Sequence, residues 1–255
     1  MRKIYNLIIL SFFAFGVNAQ TQPFGDIDIA DLKLTACDFE KDAHAEVLFD
    51  KTLIYYKYTT VVMEYHKRIK IFNEKSNDVA KVRIEYYGAH GDEIVSEIQA
   101  ETINLNHNTI EYTPVDKSLI YTEDVNKVMK AVVFTFPNLK PGSVVEFKYK
   151  WSSPHHSRNF PDWVCQEDIP VRYSEFKGEL SNDYTFKFIK RINQKLKKDT
   201  SYYTNGKNVN QGETYIWALD SIHSFKAEPF MNSDRSNLQH VSFQVTGSYE
   251  LYPSQ

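Results

Sequence analysis

The sequence predicts an all-β protein, built as an antiparallel β-sandwich. Apolar and polar residues alternate with a period of two along most of the chain, and no stretch keeps a sustained 3.6-residue period. Clusters of turn-forming residues separate the alternating runs. Each run therefore offers one apolar face, which a sheet needs when it packs on a second sheet and leaves its other face in water.

The composition agrees with a folded, aromatic-rich protein. Of the 255 residues, 42% are hydrophobic and 15% aromatic, which excludes a disordered chain. The 30 Lys and Arg nearly balance the 33 Asp and Glu, so no basic field is available to hold a nucleic acid. Two cysteines are too few for a disulfide scaffold. The length suits one large domain or two small ones.

Residues 1–19 have the pattern of a cleaved signal peptide. Arg2 and Lys3 precede an apolar run over 4–17. Val17 and Ala19 then provide the small residues at positions −3 and −1 of a cleavage site. The run is shorter than the ~20 apolar residues of a bilayer-spanning helix, so no transmembrane anchor is expected. We expect an exported protein, periplasmic or extracellular.

Five runs carry the clearest strand pattern: 63–71, 81–86, 145–151, 184–188 and 241–251. In the first run the odd positions are mostly apolar and the even positions are polar. The inward side chains of this run are predicted to be Met63, Tyr65, Ile69 and Ile71, and the solvated ones Glu64, His66, Arg68 and Lys70.

Turns and short helices are predicted between these strands. Turn signals lie at 73–78 and 88–92, at Pro141-Gly142 and at Asn205-Gly206-Lys207, which reads as a hairpin. Only 27–34 and 193–198 suggest short helices.

The β-sandwich domain is expected to occupy 20–255. Residues 152–162 are polar, contain two prolines and interrupt the strand pattern. They either link two packed sandwiches, over 26–152 and 163–252, or form a long loop within one extended sandwich.

The two cysteines, Cys37 and Cys165, allow two interpretations. An oxidising compartment permits a disulfide between them, whereas buried free thiols are the favoured alternative. A catalytic dyad is not expected, since His155 and His156 precede Cys165 by ten and nine residues and no helix begins after it. The histidines lack metal-ligand spacing, so neither a metal site nor a cofactor is expected.

Most aromatic residues fall on inward positions and are predicted to fill the core. The exceptions lie beside the polar segment or at a hairpin, where a ligand could stack on them. The candidate binding residues are Trp163, His155, His156 and Tyr203.

Several stretches resemble one known family when taken together. They are 42–50 (DAHAEVLFD), 66–72 (HKRIKIF), 134–147 (FTFPNLKPGSVVEF), Pro161-Asp162-Trp163 with Gln166, Pro170-Val171, 215–217 (YIW) and 227–231 (AEPFM). In this order they resemble the "domain of unknown function 3857", which is found in exported bacterial proteins in front of a transglutaminase-like domain. The resemblance covers about residues 26–250.

This resemblance implies an Ig-like or larger β-sandwich in an exported protein of a Gram-negative, Bacteroidetes-type bacterium. The Cys-His-Asp set of such proteins belongs to the transglutaminase-like domain that follows, so no catalytic residue is carried over to this chain. We expect a non-enzymatic module that binds protein or peptide, through a sheet edge or the loop at 152–163, and positions a transglutaminase-like partner domain. The alternative is an extracellular carbohydrate-binding module.

Overall fold

The computed structural model describes residues 22–154, 160–204, 211–226 and 237–248. One α-helix, α1 (Ile29–Lys33), and 3₁₀ turns at Glu74–Ala80, Ala89–Gly91 and Lys117–Leu119 accompany the strands. The strands are β1 (Ala45–Lys57), β2 (Thr60–Ile71), β3 (Lys81–Tyr87), β4 (Ile94–Asn106), β5 (Thr109–Pro114), β6 (Tyr121–Asp124), β7 (Met129–Thr135), β8 (Val144–Ser153), β9 (Trp163–Val164), β10 (Val171–Ser181), β11 (Tyr184–Arg191), β12 (Lys198–Thr204), β13 (Gly212–Ile222) and β14 (His240–Ser248).

Three sheets form a two-layer sandwich, which confirms the predicted all-β class. The large sheet has eight strands in the order β12-β13-β10-β1-β2-β8-β4-β5, so it contains strands from both sides of the 152–162 segment. Two three-stranded sheets, β3-β7-β6 and β11-β14-β9, pack against it. The pairing is antiparallel except between β1 and β10, which run parallel and join the two halves of the large sheet.

The main core lies between the large sheet and the two small ones. Inward residues of the predicted runs fill it, among them Ile69 and Ile71 of β2. Phe176 of β10 stacks on Trp217 of β13 with ring centroids 5.4 Å apart, and Phe134 of β7 meets Phe147 of β8 edge to face at 6.1 Å. All five predicted runs are strands as far as the structure describes them.

One of the two predicted helices is present. Helix α1 lies within the predicted 27–34, and the Asp28 side chain caps it by accepting a hydrogen bond of 2.8 Å from the Ala30 amide. The helix predicted at 193–198 was wrong. There the backbone bonds to distant parts of the chain instead. The Lys197 amide donates to the carbonyl of Ala218 in β13, and the Asn193 amide donates to the side-chain oxygen of Gln239, just before β14.

Residues 22–44 lie across the outer face of the large sheet and change the environment of its polar side chains. Arg68 and Lys70, predicted to be solvated, are 0% exposed. Lys70 Nζ donates to the carbonyl of Leu32 at 2.6 Å, and Arg68 Nη2 donates to the carbonyl of Asp26 at 2.9 Å. A small apolar cluster seals the contact: Ile27, Leu32, Leu48, Ile103 and Val144. Within the described ranges, no helix is long and apolar enough to cross a bilayer.

Candidate functional site

A groove of about 1000 Å³ opens between the two small sheets, above the inner face of the large one. Its floor comes from three adjacent strands of the large sheet, β1, β2 and β8. The floor residues are Thr52, Met63, Tyr65, Tyr149 and Trp151. The rings of Tyr65 and Tyr149 lie side by side with centroids 5.2 Å apart. The floor is therefore largely aromatic, with phenol hydroxyls among the apolar atoms.

The two walls of the groove are sheet edges. On one side residues 84–87 of β3 line it, together with Met129 of β7. On the other side the lining comes from 160–162, Val164 of β9 and three residues near or in β14: Leu238, His240 and Ser242. In the described part of the chain β3 pairs only with β7 and β9 only with β14. Each wall thus presents a strand edge without a neighbouring strand.

The described groove lining is acidic. It contains four carboxylates, Glu85, Glu93, Asp162 and Glu167, and neither Lys nor Arg. Glu85 accepts a hydrogen bond of 2.9 Å from Arg83, and Glu167 pairs with Lys67, so cations outside the lining compensate these two.

The other two carboxylates bind neutral donors. Glu93 Oε2 accepts from the Tyr87 amide at 2.8 Å and from the Trp151 indole at 3.1 Å, and Asp162 accepts from Ser242 Oγ at 3.0 Å. The groove therefore carries negative charge that favours a cationic ligand.

A buried polar cluster lies beside the groove floor. Lys67 Nζ donates to both carboxylate oxygens of Glu167, and Tyr65 hydrogen-bonds to Asp50, which is 2% exposed. Burial raises the pKa of Asp50 to about 7, because Lys67 is shared with Glu167 and compensates only part of the lost hydration. Burial would lower the pKa of Lys67, but the carboxylates of Glu167 and Asp50 outweigh it and raise that pKa.

The two predicted binding residues that the structure describes, Trp163 and Tyr203, lie in different sheets. Trp163 lies in β9 but is 1% exposed, and its indole donates to Ser174 Oγ at 2.9 Å, so its role as a binding residue is corrected to one in the core. Tyr203 is 54% exposed on edge strand β12, outside the groove lining, where its hydroxyl accepts from Asn182. His155 and His156 lie outside the described residues.

Both cysteines are free thiols, so the disulfide alternative is not the arrangement found. Cys165 is 1% exposed and its Sγ lies 3.1 Å from the carbonyl of Gln239. Burial raises its pKa to about 12, and burial also raises the pKa of Cys37.

The floor and the acidic residues were missed because the sequence patterns that contain them also describe a core or a solvated loop. Tyr65, Tyr149 and Trp151 occupy inward positions, where aromatic side chains normally fill the core. Glu167 lies in a loop-like context, which is typical of a solvated carboxylate. The one available signal was the Tyr pair at inward positions of two strands, because buried phenol hydroxyls need polar partners.

The fold and the groove define a β-sandwich domain with an aromatic-floored cleft between two small sheets. The chain belongs to the family described as "Domain of Unknown Function with solved-structure structure (DUF3857)", whose model matches residues 58–225. The sequence has no match among curated proteins.

The fold is similar to that of a Parabacteroides distasonis protein described as a "putative protease". The TM-score is 0.62 at 12% identity, over 78% of this chain and 40% of that one. This chain therefore spans less than half the length of that protein.

Two other solved structures are less similar. A "putative nutrient binding protein" of Legionella pneumophila gives a TM-score of 0.37 at 8% identity over 79% of this chain and 67% of that one. An M1 zinc metallopeptidase of Deinococcus radiodurans gives a TM-score of 0.38 at 8% identity, over 79% of this chain and 42% of that one. These TM-scores are too low to inform on the site.

Proposed function

We propose that this chain is a non-enzymatic binding module and that its ligand is a peptide segment held in the groove. The observation that carries the proposal is the groove itself, about 1000 Å³ with an aromatic floor, acidic side chains and a strand edge on each wall. Concave sites with apolar linings and a few placed polar groups are where ligands typically bind. Strand edges add main-chain donors and acceptors that suit a peptide.

The state of the two thiols supports a non-enzymatic role. A cysteine nucleophile acts as the thiolate and needs a lowered pKa and access to substrate. Cys165 has the opposite properties, because it is buried and its pKa is raised to about 12. Cys37 is also buried with a raised pKa.

In this proposal the module serves an exported protein and positions a transglutaminase-like partner domain. Export rests on the signal-peptide pattern of residues 1–19. The partner domain rests on the family resemblance. The Parabacteroides protein supports an arrangement with further domains, since the matched part is 40% of its length and it is described as a "putative protease".

Carbohydrate is the alternative ligand. The neighbouring Tyr65 and Tyr149 rings on the floor favour it, because phenol rings can both stack on a sugar and hydrogen-bond to it. Indole platforms do not contribute, since Trp151, Trp163 and Trp217 are 6%, 1% and 1% exposed.

The test is to fill the groove and measure peptide binding. Ser242 lines the groove on β14, whereas Ser248, at the end of the same strand, is exposed and lies outside the lining. The probe is a blocked heptapeptide in which Lys alternates with Val and Phe, titrated by calorimetry.

We expect Ser242→Trp to weaken binding at least tenfold and Ser248→Trp to leave it unchanged. Equal binding to both variants would place the site elsewhere. No binding to the unmodified protein, together with binding of an oligosaccharide from a glycan panel, would favour the alternative.

A further inference from the structure

We infer that the peptide binds by strand addition, pairing its backbone with the free edge of β3 and extending the β3-β7-β6 sheet across the groove. This inference rests on the proposed function, because it names how the groove holds its ligand. The kind of partner it fits is an extended segment in which apolar residues alternate with Lys or Arg.

The lining pattern shows that the edge of β3 faces the groove. Successive side chains of a strand point to opposite faces of its sheet. A cavity beside one face of β3 would therefore be lined by alternate residues. Here four consecutive residues, 84–87, line the groove, so the edge of the strand borders it.

The backbone hydrogen bonds show which groups point to that edge. The Gly88 amide donates to the carbonyl of Val128, and the carbonyl of Ala80 accepts from the Phe136 amide, so the even positions of this segment bond towards β7. Tyr87 has the opposite direction, because its amide donates to Glu93 Oε2 and its carbonyl accepts from the Glu93 amide at 2.9 Å.

In an antiparallel ladder the direction alternates from residue to residue. The amide and carbonyl of Glu85, like those of Arg83, therefore point away from β7, as those of Tyr87 do. The described chain has no strand paired with this edge.

Glu93 marks where an added strand would end. It already bonds to both backbone groups of Tyr87, which a neighbouring strand would otherwise use. The edge that remains runs over residues 81–85, and Ile84 and Glu85 are the part of it that lines the groove. This length matches a strand of about five residues, which is ordinary for globular proteins.

The two rows of side chains on an added strand would meet different surroundings. One row faces the floor, where Met63, Tyr65 and Tyr149 offer apolar contact. The other row faces away from the floor, where the lining carries Glu85 and Asp162. Arg83 already pairs with Glu85, whereas Asp162 is bonded to the neutral Ser242, so Asp162 is the carboxylate left for a cation of the peptide. Apolar residues alternating with cationic ones satisfy both rows.

The experiment uses the blocked Lys/Val/Phe heptapeptide and two versions of it, one N-methylated at its odd residues and one at its even residues. Strand addition uses the amides of alternate residues only, so one methylated version should bind at least tenfold more weakly and the other should bind almost normally. Calorimetry on the full chain gives the three affinities.

Hydrogen exchange of the protein supplies an independent reading. On binding, the Arg83 and Glu85 amides should exchange at least tenfold more slowly, while the Ile84 and Tyr86 amides, already directed to β7, should change little. Equal weakening by both methylated versions, or no weakening by either, would overturn strand addition while leaving the groove as the site. If the unmethylated peptide does not bind, the proposed function fails first.

Discussion

Arg68 and Glu146 form an ion pair that water does not reach. Both side chains are 0% exposed, and Arg68 Nη2 lies 2.9 Å from Glu146 Oε2. His66 Nε2 lies 2.6 Å from the other oxygen of Glu146, and the Gly25 amide donates to the same carboxylate at 3.2 Å. Arg68 Nε and Nη1 have no partner within the described ranges, so Glu146 is the main compensation for a buried charge. Removing one partner of such a pair is costly, because the other partner is left as an uncompensated buried charge.

Glu146→Gln should therefore destabilise the fold strongly. The substitution keeps the shape but leaves the Arg68 guanidinium buried without an anion, which we expect to lower the free energy of unfolding by about 3 kcal/mol. Denaturant unfolding measures the change. Glu123→Gln is the matched control, since it breaks the half-exposed pair with Arg83 and should cost less than about 1 kcal/mol. Equal effects of the two substitutions would contradict this account of the buried pair.

Asp50 should make the stability depend on pH. Burial raises its pKa from 3.8 to about 7, so between these values the folded chain holds a proton that the unfolded chain has lost. The contribution of Asp50 to stability is then complete below about pH 4 and is lost as the pH rises to about 7. Asp50→Asn removes this titration.

The measurement is the difference in unfolding free energy between Asp50→Asn and the unmodified protein. It should shift in favour of the variant by more than ~1 kcal/mol between pH 4.5 and 7.5, since one pKa unit corresponds to about 1.4 kcal/mol. Asp50 is surrounded by Lys67, Glu167 and Tyr65, which are present in both proteins. Their own contributions to the pH dependence therefore largely cancel in the difference. A difference that is constant with pH would show that Asp50 ionises normally.

At the scale of elements, alternation predicted five of the strands, β2, β3, β8, β11 and β14, and the side of β2 on which Ile69 and Ile71 face the core. It could not predict what covers the polar side. The even positions of β2 read as solvated, yet Arg68 and Lys70 are buried, because residues 22–44 fold back over them. The hydrogen bonds from Arg68 and Lys70 to this segment go to main-chain carbonyls and therefore leave no pattern in the sequence. In the apolar cluster of the contact, the segment contributes only two buried side chains, Ile27 and Leu32.

The burial of single residues and the pairing of distant strands could be predicted only in part. Cys165 was correctly expected to be a buried thiol, because it lies in an apolar run. Trp163 lies in the same run, but its position beside the polar segment suggested exposure. Its indole instead finds a buried partner in Ser174, eleven residues later. The parallel pairing of β1 with β10 was not predicted either, because it joins strands more than 100 residues apart.

At the scale of the whole molecule, the groove exists because three sheets meet. Its two edge walls come from β3 and β9, which are separated by about 80 residues in the sequence. Glu93 and Asp162 come to line the same groove only through this arrangement. The sequence could therefore predict a sandwich. Residues 160–162, the end of the segment expected to bind a ligand, line the groove, and their binding role stays a prediction. The sequence could not predict the cleft, because a cleft forms where two sheet edges face each other with no strand between them, and the sequence does not show which edges will face each other.

The same interdependence makes residues 22–44 a structural part of the fold. Without them the outer face of the large sheet would expose Leu48, Ile103 and Val144, and the groups bonded to Asp26 and Leu32 would lose their partners. A chain that begins at Ala45 should therefore melt at a lower temperature than one that begins at Gln22. We expect the melting temperatures to differ by more than about 10 °C. Losing two buried apolar side chains alone costs several kcal/mol, and each kcal/mol lowers the melting temperature of a domain of this size by about 2–4 °C.

A synthetic peptide of residues 22–44 provides the control for this prediction. If the segment acts by covering the sheet, the peptide added to the shorter chain should restore part of the melting temperature, and more so at higher peptide concentration. The peptide should have no effect on the chain that begins at Gln22, because its own segment already occupies the face. Equal melting temperatures of the two chains would mean that the ionic cluster around Arg68 and Glu146 is stable in water. The large sheet would then hold its charges without residues 22–44.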